Sequence, residues 1–96
     1  LLHYVYIIYS PTLDRFYIGE SADPESRLKH HNAGDQRFTK RTDDWKLVFK
    51  KAVESRTDAL VLEKKLKATK SRKSLIRWID GEDNMIPHHA WVDYTW

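Results

Sequence analysis

His3-Tyr4-Val5-Tyr6-Ile7-Ile8-Tyr9-Ser10-Pro11-Thr12-Leu13-Asp14-Arg15-Phe16-Tyr17-Ile18-Gly19 is the stretch that decides the fold. His3 to Tyr9 is rich in β-branched and aromatic residues, which suit a strand. Ser10 to Asp14 supplies turn chemistry, and Arg15 to Gly19 reads as a second short strand, so the chain opens with a hairpin. Alternation puts Tyr6 opposite Val5 and Ile7, and Tyr17 opposite Phe16 and Ile18. If the strands pair with an odd residue sum, Tyr6 and Tyr17 share a face. Gly19, two residues beyond Tyr17, then leaves room there for a backbone or a phosphate. Ordinary aromatic cross-strand packing is the competing use of these tyrosines.

Outward from the hairpin, Asp23-Pro24-Glu25 has the chemistry of a helix start: a capping Asp, a first-turn Pro and an acidic side chain near the positive helix end. This helix is expected to run to about Asn32 and stop by Gly34. Gln36 to Asp44 is polar and basic with Phe38 isolated in it, and reads as a loop or short helix. Trp45 to Val53 alternates as a third strand, with Trp45, Leu47, Phe49 and Val53 on one face. Ser55-Arg56-Thr57-Asp58 resembles a capping box opening a helix to about Thr69. Ser71 caps another, carrying Leu75, Ile76, Trp78 and Ile79 towards Gly81.

The expected fold is therefore α+β: a small three-stranded antiparallel sheet flanked by helices, order ββαβαα. Residues 1–81 are expected to form one domain, with 82–96 a C-terminal tail packed on it. A disordered tail rarely carries aromatics such as Trp91, Tyr94 and Trp96.

Composition narrows the chemistry. A chain of 96 residues supports one core and excludes a multidomain enzyme. There is no cysteine, which removes disulfides, thiolate catalysis and Cys-type zinc sites. The pairs His30-His31 and His88-His89 lack four-ligand zinc spacing. No apolar run is long enough to span a membrane and no export leader opens the chain, so a cytoplasmic protein is expected. The net charge of +3 hides an asymmetry. Residues 37–73 carry thirteen basic and five acidic side chains, whereas residues 1–36 are net −2 and residues 74–96 net −3. Such a block suits a polyanion, nucleic acid first; a solvated Lys-rich surface is the plainer explanation.

The two longer-range helices each place chemistry on an apolar face. Glu63 lies about 40° round the helix from Ala59, in the same arc as Leu62 and Leu66. A carboxylate facing a core is costly unless an Arg, a hydroxyl network or a divalent cation pairs with it. In the first helix Arg27, Leu28 and His31 lie on one stripe. If that stripe packs inward, Arg27 and His31 line a cleft; otherwise Arg27 snorkels and His31 complements the helix dipole.

Tyr4-Val5-Tyr6, Tyr17-Ile18-Gly19, Arg27 eight residues beyond the glycine, His31 and then Glu63 on a later helix together resemble the GIY-YIG nucleases. Val5-Tyr6-Ile7-Ile8-Tyr9-Ser10, Arg27-Leu28-Lys29-His30-His31-Asn32 and Glu63-Lys64-Lys65-Leu66-Lys67 look like the small stand-alone bacterial members. The resemblance covers residues 3 to about 79 and not the tail.

It implies a metal-dependent DNA endonuclease, with a role in DNA repair among its consequences. Glu63 is implied as the ligand of Mg²⁺ or Mn²⁺, a hard site completed by water and phosphate. Arg27 is implied to grip the scissile phosphate through its guanidinium fork. Tyr17, with Tyr6 as its partner, is implied to activate or orient water, although an ordinary phenol near pKa 10 is a poor base at neutral pH. His31 matches a position that assists proton transfer or phosphate contact. Gly19 permits close approach, and Lys40, Arg41, Lys67, Lys70, Arg72 and Lys73 form a candidate phosphate track. The sequence departs from the pattern at Tyr4, where the family places glycine, and at Glu20, where some members carry a lysine that helps the base. Asn84 is too distant in pattern to match the asparagine some members place near the metal. A non-catalytic nucleic-acid binding module on a degenerate fold is the main alternative. A protein-interaction domain using the Trp-rich tail is a third, and a protein partner is compatible with all three.

Overall fold

The computed structural model describes residues 2–69 and 71–96. The hairpin forms as β1 (His3–Ser10) and β2 (Arg15–Ser21), followed by α1 (Pro24–Asn32), β3 (Lys46–Val53), α2 (Arg56–Ala68) and α3 (Arg72–Asp80). A short 3-10 turn at His88–Ala90 lies in the tail. The sheet is antiparallel with order β2-β1-β3, so β1 is central. The α+β arrangement and the order ββαβαα match the sequence expectation.

Local chemistry explains the boundaries. The side chains of Asp23, Ser55 and Ser71 each accept a backbone N–H three residues on, capping α1, α2 and α3. The hairpin turns through Asp14, whose φ of 52° lies in the left-handed region that Asp tolerates. The Asp14 carboxylate accepts hydrogen bonds from the Tyr9 hydroxyl at 2.6 Å and from Arg72 at 2.8 Å, tying the turn to α3.

The sheet is covered on both faces. Val5, Ile7, Ile18 and Phe49 pack with Ala59 and Leu66 of α2 and Ile79 of α3. Tyr6, Ile8 and Trp45 pack on the other face with Leu28 of α1. Burying both faces of β1 is why Val5 to Ser10 reads as a continuous buried run.

The third strand departs from strict alternation. Ile7 pairs with Phe49 but Ile8 pairs with Leu47, so Val48 is an extra residue in a β-bulge. An inserted residue turns the following side chains to the other face. Trp45 and Leu47 therefore join Tyr6 and Ile8, while Phe49 and Val53 join the opposite core, correcting the expectation of one shared face. The tail satisfies the bulged backbone. Asn84 Nδ2 donates to Val48 O at 2.9 Å and Ile79 O at 2.8 Å, and its Oδ1 accepts from Lys50 N at 3.1 Å and Ile86 N at 2.9 Å. Farther on, Trp91 is buried, and the Trp96 ring meets Tyr9 edge-on at 5.0 Å.

Residues 36–44 form turns rather than a helix. They are pinned from both sides: Trp45 Nε1 donates to Thr39 O at 2.9 Å, and Asn32 bonds both the N–H and the C=O of Trp45.

Candidate active site

The hairpin register decides the site. Tyr6 pairs with Gly19 and Ile8 with Tyr17, an odd residue sum, so Tyr6, Tyr17 and Gly19 share the face that α1 covers. The ring of Tyr6 lies directly over Gly19. A Cβ at residue 19 would stand 2.5 Å from the Tyr6 hydroxyl oxygen and 2.6 Å from its ring carbon Cζ. The space expected for a phosphate is thus filled by the Tyr6 phenol, and the glycine is needed because the two groups overlap.

Tyr6 is only 1% exposed, and its hydroxyl is hydrogen-bonded to His31 Nε2 at 2.8 Å. His31 Nδ1 is in turn bonded to the Thr39 hydroxyl at 2.7 Å. His31 and Thr39 are both fully buried. Burial, reinforced by the charges of Arg27 and His30, holds the imidazole at a pKa of about 4, so it is neutral at physiological pH. His31 therefore does not line an open cleft; its contacts are with Tyr6, Thr39 and the Tyr17 ring, 4.9 Å away.

Tyr17 is more exposed than Tyr6 and borders an open hollow shared with Phe38 and Lys67. Its hydroxyl makes no hydrogen bond to another of the described residues. Arg27 is partly exposed and lines a second open hollow with Ser21, Ser26 and His30. The phenol of Tyr6 is pushed well above its ordinary range, first by burial and then by the neighbouring Tyr17, Glu63 and Glu20, while the Arg27 guanidinium opposes the shift. The charges of Arg27 on α1 and Glu63 on α2 are both felt at the Tyr6 phenol, whose strand-mate Tyr17 shares its face of the sheet.

Glu63 keeps the inward orientation expected of it, its side chain 17% exposed. It accepts a hydrogen bond from Lys67, one turn on, at 3.3 Å. Such an i,i+4 surface pair is worth only about 0.3–0.5 kcal/mol, too little to explain a carboxylate placed inside this face. No group of three or more His, Asp and Glu side chains suited to a metal ion occurs among the described residues. A lone carboxylate fits Mg²⁺ or Mn²⁺, which keep most of their ligands as water or phosphate oxygen.

Glu20, expected to be of the wrong sign beside Tyr17, lies on the opposite face of β2, opposite Val5. There it pairs with His3 and, at 3.6 Å, with Arg56. The candidate phosphate track divides. Lys40, Arg41 and Lys73 are exposed, Lys67 is turned to Glu63, and Lys70 lies outside the described residues. Both terminal nitrogens of Arg72 donate to Asp14, so this cation is engaged within the fold. Two residues the sequence reading missed join the site: Thr39, for which a basic loop offers no signal, and Phe38, whose signal was being the lone aromatic in that loop. Asn84 is a structural staple between the tail and the bulge.

Three comparisons bear on this geometry. The profile of the GIY-YIG catalytic domain matches residues 2–75. Among functionally curated proteins no match is found. The UPF0213 protein BH0048 from Bacillus halodurans, solved by solution NMR, has a similar fold with a TM-score of 0.56, at 24% identity, over 99% of this chain and 98% of that one.

Proposed function

The chain belongs to the GIY-YIG catalytic-domain family, a family of nucleases acting on nucleic acid, and from that premise we propose that it is a divalent-metal-dependent DNA endonuclease. The observation that carries this reading is that the hairpin register puts Tyr6, Tyr17 and Gly19 on the face that α1, the helix of Arg27, packs against, with Glu63 held inward on α2. A binding module has no use for a carboxylate placed among these groups.

In this reading Arg27 presents its guanidinium to a non-bridging oxygen pair of the scissile phosphate, and offsets the negative charge those oxygens carry in the transition state. Tyr17, whose hydroxyl is free of internal partners among the described residues, orients the attacking water and takes part in removing its proton. Tyr6 is too buried to meet that water directly. It fixes the floor of the site, and its bond to His31 holds its hydroxyl in place. Thr39 holds the imidazole in register from behind. Glu63 holds the cation, which when bound supplies Lewis-acid stabilisation of phosphate charge.

The test is incubation of supercoiled, linear, flapped and branched DNA with the protein and Mg²⁺, Mn²⁺ or EDTA. Metal-dependent strand cleavage, lost on Arg27→Ala, is the expected result. Intact binding with no cleavage on any substrate favours the degenerate binding module instead.

A further inference from the structure

Phe38 is the one aromatic side chain in the exposed class among the described residues, at 62% exposure. Its ring lies 5.6 Å from that of Tyr17, tilted by 38°. The loop that carries it is anchored by Thr39 and Trp45, so the ring is presented from a fixed base. Phe38 also borders three adjoining hollows. One contains Tyr17 and Lys67, another runs along the hairpin to Arg72, and a third is lined by Leu13, Arg15, Arg37 and Arg41. Among the described residues, Arg15, Arg37 and Arg41 form none of the ion pairs that engage Arg72 and Lys67.

An exposed ring beside the reacting centre, bordered by unpaired guanidinium groups, matches a single strand of nucleic acid. The arginines complement its phosphates and the ring takes the face of an unpaired base. A duplex offers phosphates and groove edges but hides its base faces, so it gains from the arginines and little from the ring. We propose that Phe38 is a stacking platform for an unpaired DNA base next to the scissile phosphate, and that the protein therefore selects single-stranded or frayed DNA over intact duplex. The proposal rests on the nuclease reading for its position relative to the reaction, and its test does not depend on cleavage.

The test is fluorescence anisotropy in EDTA with labelled oligo(dT), a blunt duplex of the same length, and an abasic strand carrying the same phosphates. Wild type is expected to bind oligo(dT) more tightly than the abasic strand. Phe38→Ala is expected to weaken oligo(dT) binding about tenfold, the scale of one lost base–aromatic contact, and to leave duplex and abasic binding unchanged. Phe38→Trp is expected to retain oligo(dT) affinity, and a thermal melt checks that both variants fold. Equal loss on all three probes, or no loss on any, overturns the proposal, and in the latter case Phe38 is free to serve a protein partner. Metal-dependent cutting by a protein whose binding ignores Phe38 overturns the stacking platform and leaves the nuclease standing. Phe38-dependent binding without cutting supports the platform and removes the nuclease.

Discussion

The Tyr6 hydroxyl occupies the volume in which a side chain at Gly19 would begin, 2.5 Å from the position of a Cβ. The two residues are directly paired in the hairpin, so neither backbone can retreat without breaking the register of β1 and β2. Gly19→Ala is expected to push the Tyr6 ring off its bond with His31. The cost is about 1–3 kcal/mol of overpacking strain, read by urea denaturation, and cleavage should fall with it. Wild-type stability in Gly19→Ala means that the ring moves freely and that the glycine serves something else.

Arg27 is partly exposed and makes no salt bridge among the described residues. Arg27→Ala should therefore change stability by less than about 1 kcal/mol. If the guanidinium stabilises transition-state charge, the same substitution lowers kcat by about 10²–10³. Arg27→Lys should recover only a small part of the rate, because the ammonium lacks the fork. Steady-state kinetics alongside a denaturation curve separate the two effects.

His31 carries a pH signature. Its folded pKa of about 4 lies below the ordinary 6.5, because it is buried with Arg27 and His30 nearby and Tyr6, Tyr17 and Thr39 against its ring. Between these values the unfolded chain binds a proton that the folded chain does not. The stabilisation is complete above about pH 6.5 and is lost as pH falls towards 4, amounting to about 3 kcal/mol. His31→Gln should flatten stability across that window. An unchanged slope in urea melts at pH 4.5 to 7, a range chosen from the two pKa values, places the dependence on other groups.

Asn84 makes four hydrogen bonds, two on each side of its amide, that join the tail to the bulge in β3 and the end of α3. Asn84→Ala leaves backbone groups of Val48, Lys50 and Ile79 without these partners, at a cost of about 2–3 kcal/mol. Amide exchange is expected to rise at Lys50 and Ile86. Unaltered exchange there means that water or neighbouring backbone replaces the amide without loss.

Local grammar was readable in this chain and tertiary exchange was not. The caps at Asp23, Ser55 and Ser71, the alternation around Tyr6 and Tyr17, and the inward carboxylate of Glu63 are set by spacings of a few residues, so periodicity exposes them. The bulge at Val48 is compensated by Asn84, 36 residues away, and the Asp14–Arg72 contact spans 58. No local pattern announces either. The same limit applies at the site. Tyr6, Tyr17, Arg27, His31 and Glu63 were selected by their spacing and by the family pattern. That His31 is buried behind Tyr6 and held by Thr39 depends on a loop with no regular structure. Gly19 was read as open space because a sequence shows the absent side chain and not the ring that fills it.

In the proposed mechanism Glu63 serves a cation that cleavage requires. The most direct measurement compares wild type with Glu63→Gln on flapped and supercoiled DNA in Mg²⁺, Mn²⁺ and EDTA, with DNA binding measured in EDTA for both. Expected are metal-dependent cutting by wild type, equal DNA affinity in the two proteins, and no cutting by the variant in either metal. Cutting by Glu63→Gln at the wild-type rate, or cutting by wild type in EDTA, would contradict that mechanism.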